Sequence, residues 1–235
     1  MSIPEINQLK KDFVKAANRA VEAGFDVIEL HFAHGYLVSS FLTPAVNKRT
    51  DQYGGSFENR TRLALELVEE VRAVIPESMP LFVRISASDW LDTNPDYTGE
   101  SWTVDQAAKL AELFAERDVD VIDVSSGGNH PSQKVQGGPG YQAKFAKHIK
   151  KVVGDKMLVS AVGSIKTGTQ AEEIINGEDV QLDLIAAGRM FQKNPGLVWA
   201  WADDLDIEIQ LAHQIGWGFG GRATKKVDHV KMSIP

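Results

Sequence analysis

The feature that most constrains this chain is a repeated kind of exit. Five apolar, β-leaning runs each stop at polar or glycine-bearing residues: "HFAHG", "RISASD", "VSSGG", "AVGS" and "AAGR". Between the runs, apolar residues recur at helical spacing. The first helix pattern carries Ile6, Leu9, Phe13, Ala17, Ala20 and Val21 and is stopped by Gly24. Strands are expected over 26–30, 81–86, 119–125, 157–162 and 182–187. Further helices are expected over 61–75, 103–118 (with Thr103 as N-cap), 141–153, 167–176 and 194–205. Near-continuous apolar strands, each followed by a helix, imply a parallel sheet covered on both faces.

Two architectures fit that alternation. A doubly wound sheet gathers its site at one switch point. A (β/α)8 barrel draws on the C-terminal ends of many strands. Five chemically marked exits favour the barrel. The count gives an α/β, TIM-barrel type fold that is incomplete, with about five of eight strands present, strands 4–8. The chain also opens on a helix that should follow an earlier strand, so about three βα units are expected to be missing. Residues 1–215 are read as the C-terminal part of the barrel and 216–235 as a Gly/Lys-containing tail. "MSIP" stands at both ends and is read as a chance match.

Composition removes several function classes. The 235 residues carry a formal net charge of -7, which argues against a nucleic-acid binder. The basic cluster in the tail, Lys225 and Lys226, is too short to change that. No apolar run approaches the ~20 residues a membrane span needs. There are no cysteines, hence no disulfide, thiolate metal site or thiol nucleophile. A cytoplasmic location is the expectation.

The last two strand exits, "AVGSIKTG" and "AAGRMFQKNP", each pass from strand through Gly into helix. Backbone N–H groups at such turns can approach a phosphate, and the helix start favours its charge. Gly163, Ser164, Gly188 and Arg189 are therefore a phosphate-cradle candidate, against the plainer reading of tight turns and a surface charge. Arg84 interrupts "LFVRIS" and should face the barrel interior. It either pairs with a carboxylate or lies beside an electron-rich ring, and the sequence leaves these balanced.

"ELHFAHGYL" places His31, His34 and Tyr36 at the first strand's exit. A metal pair lacks a third ligand, and a structural role is the bland reading. The favoured one is a pair of N–H donors converging on a substrate oxygen, with Tyr36 able to pass a proton. The charged loop "NKRTDQYGGSFENRTR" is read as structural. Arg49, Asp51, Glu58, Asn59, Arg60 and Arg62 there can lace it by ion pairs and capping.

"HFAHGYLVSSFLTPAVNKRTDQYGGSFENRTR", followed in order by "LFVRISASDW", "VDVIDVSSGG", "SAVGSI" and "IAAGRMFQKNP", closely resembles the Old Yellow Enzyme family of flavin-dependent ene-reductases. The likeness covers about residues 1–215. His-x-x-His and "FVRISASD" resemble its thermophilic-like branch. The resemblance implies a barrel holding FMN at its C-terminal mouth and using NADPH, with a small-molecule enone as substrate. It implies that His31 and His34 bind the oxygen of an activated alkene and that Tyr36 is a proton donor. Arg84 would lie against the flavin's N1 and O2 side, and Gly163, Gly188 and Arg189 in the phosphate loops. A homo-oligomer is allowed, with Arg222 as a weak match to an arginine that reaches a neighbouring subunit. The absent units would hold further flavin contacts, so two alternatives stand beside the ene-reductase: a catalytically incompetent fragment without tight flavin binding, and a barrel binding another phosphate ligand.

Overall fold

The computed structural model describes residues 1–177 and 179–220. Five strands form one all-parallel sheet in sequential order: β1 Ile28–Phe32, β2 Leu81–Ser86, β3 Val121–Ser125, β4 Leu158–Val162 and β5 Leu184–Ala186. Sequential order is what separates a barrel segment from a doubly wound sheet, whose order reverses. Helices α1 Ile3–Glu22, α3 Phe57–Arg72, α4 Val104–Ala115, α5 Ala143–Val153 and α6 Gly168–Ile175 alternate with the strands. Short helices α2 Leu37–Leu42 and α7 Arg189–Lys193 stand directly after β1 and β5, and α8 Leu197–Asp204 and α9 Trp217–Gly220 follow.

Local chemistry sets the helix starts. Ser2 and Glu5 form a reciprocal capping box on α1. Ser56, Thr103 and Thr167 accept from the backbone N–H three residues on, at the starts of α3, α4 and α6. Several expected bounds move, two of them with a clear cause. Strand β1 runs two residues further than expected, because Leu30 and Phe32 alternate into the buried layer and carry His31 with them. Helix α3 starts four residues early, at its serine cap. The short α2 and α7 are too brief for a periodic signal.

The core lies between sheet and helices. Leu30, Phe32, Val83, Ile85, Ile122, Val124, Val159 and Ala161 are buried against Leu63, Leu67, Leu110, Phe114, Ala146 and Ile149. Such burial contributes roughly 1.5–3 kcal/mol per large side chain. The other sheet face is polar. One register row runs His31, Arg84, Asp123, Ser160, Leu184, and the next towards the C-terminal end pairs Ser86 with Ser125 and Val162 with Ala186. Paired residues in a parallel sheet share a face, so this row lines what a closed ring would enclose. That face is open here, and Leu158 and Leu184 on it are exposed. Among the described residues β1 and β5 are sheet edges.

The charged loop is structural, as expected. Arg49 pairs with Asp51, Arg60 donates to Leu42 and Gly55 carbonyls, Arg62 to Gln52, and Asn59 to Gly54. Glu58 departs from that lacework and sits in the first turn of α3, where its charge suits the helix start. No helix among the described residues is long and apolar enough to cross a membrane. Lys225, Lys226 and Arg222 lie outside the described residues, as does most of the expected tail.

Candidate active site

The β1 exit is built by two back-to-back turns. His34 adopts a left-handed backbone (φ 61), followed by Gly35 (φ 75). Gly35 packs on Gly128 of the β3–α5 loop so closely that a Cβ would lie 2.0 Å from the Gly128 carbonyl oxygen. A Cβ on Gly128 would in turn meet the His34 carbonyl carbon at 2.4 Å. Only glycine fits either position.

Two serines, partners in register on β2 and β3, then hold His34. Its backbone N–H donates to Ser86 Oγ at 2.9 Å, and Ser86 donates onward to the Gly127 carbonyl at 2.8 Å. On the ring, Nε2 lies 2.6 Å from Ser125 Oγ. His31 packs beside it, with ring centroids 5.2 Å apart, and Tyr36 stands edge-on to His31 at 5.5 Å. Burial and the nearby Arg84 cation push His31 below its ordinary pKa. Burial, Arg84 and His31 push His34 down to about 4. Both rings are therefore neutral near pH 7, and each carries one N–H and one acceptor nitrogen.

A second network braces the same turn from below. Gly35 N–H donates to Ser39 Oγ at 3.2 Å, Ser39 donates to Asn129, and Asn129 Nδ2 donates to Asp89 Oδ1 at 2.6 Å. Asp89 also accepts from Thr43 and from the Trp102 N–H at 3.1 Å. Burial raises the Asp89 pKa, opposed by the donors Thr43 and Asn129.

Arg84 settles between its two readings. Its Nε lies 3.2 Å from Asp123 Oδ2, so a carboxylate partner exists. The pair is not aligned, however: buried Arg84 Nε and Asp123 Oδ1 have no hydrogen-bond partner. Burial raises the Asp123 pKa, opposed by Arg84. Glu29, one row below His31, is raised by burial and by Asp123.

Arg84 also lines a cavity of about 660 Å³ with Gly163, Ser164, Gly188 and Arg189. The structure thus brings the phosphate-cradle residues and Arg84 to one cavity. His31, His34 and Tyr36 form a neighbouring cluster outside that lining. Two residues link the groups: Arg84, register partner of His31, and Ser125, which lines the cavity and touches His34. At Gly188 a Cβ would meet nothing within 4 Å, leaving the backbone open to the cavity. At Gly163 it would meet Gln142 Nε2 at 2.8 Å, so that glycine makes room for Gln142.

Sequence reasoning missed Lys166 and Lys193, which add cations to the cavity wall, and Ser125, Gln142 and Asp123. Asp123 carried the signal that had exposed Arg84, a charge inside an apolar run. Ser125 carried only its place in "VSSGG". Lys166 and Lys193 stood inside the two quoted strand exits, and Gln142 carried no signal. No group of three or more His, Asp or Glu among the described residues could hold a metal ion.

Comparison with known proteins decides the lineage. The model of the NADH:flavin oxidoreductase / NADH oxidase family matches residues 1–207. The chain belongs to that family. An NADH:flavin oxidoreductase of Gibberella zeae is 52% identical over 223 residues, covering 93% of this chain and 53% of that protein. The NADPH dehydrogenase of Bacillus cytotoxicus is 44% identical over 214 residues, covering 91% and 58%. Among solved structures, morphinone reductase in complex with tetrahydroNAD superposes with a TM-score of 0.66 at 27% identity, covering 89% of this chain and 52% of that one. The chain spans about half the length of these relatives. Membership of the NADH:flavin oxidoreductase family bears out the Old Yellow Enzyme resemblance, and the sequential five-stranded parallel sheet together with the superposition on morphinone reductase bears out the partial barrel.

Proposed function

We propose that the chain forms the C-terminal part of an FMN-dependent oxidoreductase that uses NAD(P)H to reduce the activated C=C bond of α,β-unsaturated carbonyl or nitro compounds. One observation carries the reading. Arg84, imperfectly aligned on Asp123, lines a cavity whose other wall is an open glycine turn beside Arg189, Lys166 and Lys193. A ligand with a hydrogen-bond acceptor at one end and a phosphate at the other satisfies both, and the cavity lies in the ordinary size range for a cofactor site. These residues fit FMN.

Bound FMN would supply the hydride step between NAD(P)H and the β-carbon of the substrate. Arg84 would stabilise negative charge on the ring edge nearest it. Gly188, Ser164 and Arg189 would hold the phosphate through backbone N–H groups and a guanidinium. His31 and His34 would donate to the substrate oxygen and stabilise charge developing there. Neutral imidazoles suit that task, because each keeps an N–H without the cost of a buried cation. Tyr36, 66% exposed beside His31, would deliver the proton to the α-carbon.

A second reading has its own support. The open polar face, the sheet edges at β1 and β5, and the exposed Leu158 and Leu184 favour a piece that retains FMN only when the rest of the barrel covers it. One experiment separates the two. The chain is mixed with FMN and gel-filtered, and NADPH oxidation is followed with cyclohexenone present. Co-eluting flavin with turnover supports activity in this chain. A folded chain that releases FMN supports the second reading. Flavin retention without any enone-dependent oxidation sinks the ene-reductase assignment.

A further inference from the structure

Resting on the oxidoreductase reading above, the clamp around His34 leaves one question open: which ring nitrogen carries the proton. Nε2 is taken by Ser125 Oγ at 2.6 Å, so only Nδ1 is free for a ligand, and it has no hydrogen-bond partner among the described residues. Ser125 has two places to send its own proton: His34 Nε2 at 2.6 Å, or Gln142 Oε1 at 3.4 Å.

The Gln142 amide is fixed, because its Nε2 donates to the Val162 carbonyl at 2.9 Å and its Oε1 accepts from Ser126 at 2.5 Å. Turning the amide over would set oxygen against the Val162 oxygen. Ser126 is itself oriented by Trp90 Nε1–H, which donates to it at 2.8 Å. Gln142 Oε1 therefore already has a short donor, and its 3.4 Å approach to Ser125 is long for an O–H···O bond. The short contact takes the serine proton.

We propose that Ser125 is a positioning residue: by donating to His34 Nε2 it holds the neutral ring as the Nδ1–H tautomer, which makes Nδ1 the donor offered to a substrate oxygen. With the other tautomer, the only N–H would point into Ser125 and the ligand would meet a lone pair. Ser86 holds the backbone of the same residue, so backbone and ring are fixed by side chains one strand apart.

The test is long-range 1H–15N correlation NMR of the 235-residue chain with 15N-labelled histidine at pH 7. Wild type is expected to show His34 protonated at Nδ1 over Nε2 by about tenfold, the ratio one hydrogen bond of ordinary net strength sets. Ser125→Ala should bring the ratio towards one, and Ser125→Thr should restore it. Should Ser125→Ala lose the dispersed amide spectrum of a fold, Ser125→Cys carries the same comparison with a weak thiol donor. Wild type protonated at Nε2, or a ratio unmoved by removing the hydroxyl, overturns the inference. The same samples are titrated with FMN. Wild type that binds FMN while protonated at Nε2 refutes this inference alone. Wild type that shows the Nδ1–H tautomer without binding FMN supports the clamp and counts against the cofactor reading.

Discussion

Acid should unfold this chain partly through one imidazole. His34 has an ordinary pKa of 6.5 in the unfolded chain and about 4 in the folded one. Below 6.5 the unfolded state takes up a proton that the folded state refuses, so this group stabilises the fold less as pH falls. The contribution is intact above about 6.5 and fully lost below about 4. The two values correspond to about 3 kcal/mol when fully expressed, of which about 2 kcal/mol falls between pH 7 and pH 5. That figure is a ceiling, since the ring keeps some contact with water.

His31 is shifted in the same direction by burial and Arg84, so it adds to the acid loss. Asp123, Asp89 and Glu29 are raised by burial and act in the opposite sense, because their folded forms take up protons first. Comparison with His34→Gln removes these shared contributions. Urea unfolding followed by circular dichroism at pH 7, 6 and 5 gives the stability of each protein. The difference, wild type minus variant, should shrink from pH 7 to pH 5 by about 1 kcal/mol, with about 2 kcal/mol as the ceiling. A difference flat to within ~0.5 kcal/mol across that range would mean that His34 titrates normally and that its burial beside Arg84 has been misjudged.

Three other outcomes follow. Gly35→Ala should destabilise by about 2–3 kcal/mol, since its Cβ would lie 2.0 Å from the Gly128 oxygen at a left-handed backbone, and thermal unfolding reads the loss. Asp89→Leu should cost about 2–4 kcal/mol in urea by stranding the donors of Thr43, Asn129 and Trp102; near-neutral stability would show that the network bears little weight. Arg189→Ala should weaken FMN binding about 10–100-fold in a fluorescence titration, the loss of one charge-assisted contact, and unchanged affinity would remove Arg189 from the phosphate site.

Much of the fold was legible because local signals agreed. Strand β2 falls on 81–86 as expected, since a β-rich run ends at Pro80 on one side and at polar residues on the other. Helix α4 starts directly after Thr103 because a threonine before an apolar-periodic stretch is a cap. The site was legible where residue types were unusual for their setting, as with Arg84 in a strand and two histidines at an exit. What stayed hidden depends on register. Ser125 meets His34 only because β2 and β3 align Ser86 with Ser125, 39 positions apart in sequence, and no local pattern encodes that alignment. Gln142 and Lys166 reach the cavity from loops, and Lys193 from the end of the short α7, all placed by tertiary packing.

The Arg84–Asp123 row has a consequence for how the sheet assembles. Side chains alternate with a period of two, so sliding β2 by one residue against β3 would swing the guanidinium into the hydrocarbon layer under the helices. Burying an unpaired cation there costs far more than a mismatched aliphatic would. The two charges thus act as a key cut for a single alignment, and any chain that folds at all arrives with its chemistry already facing inward.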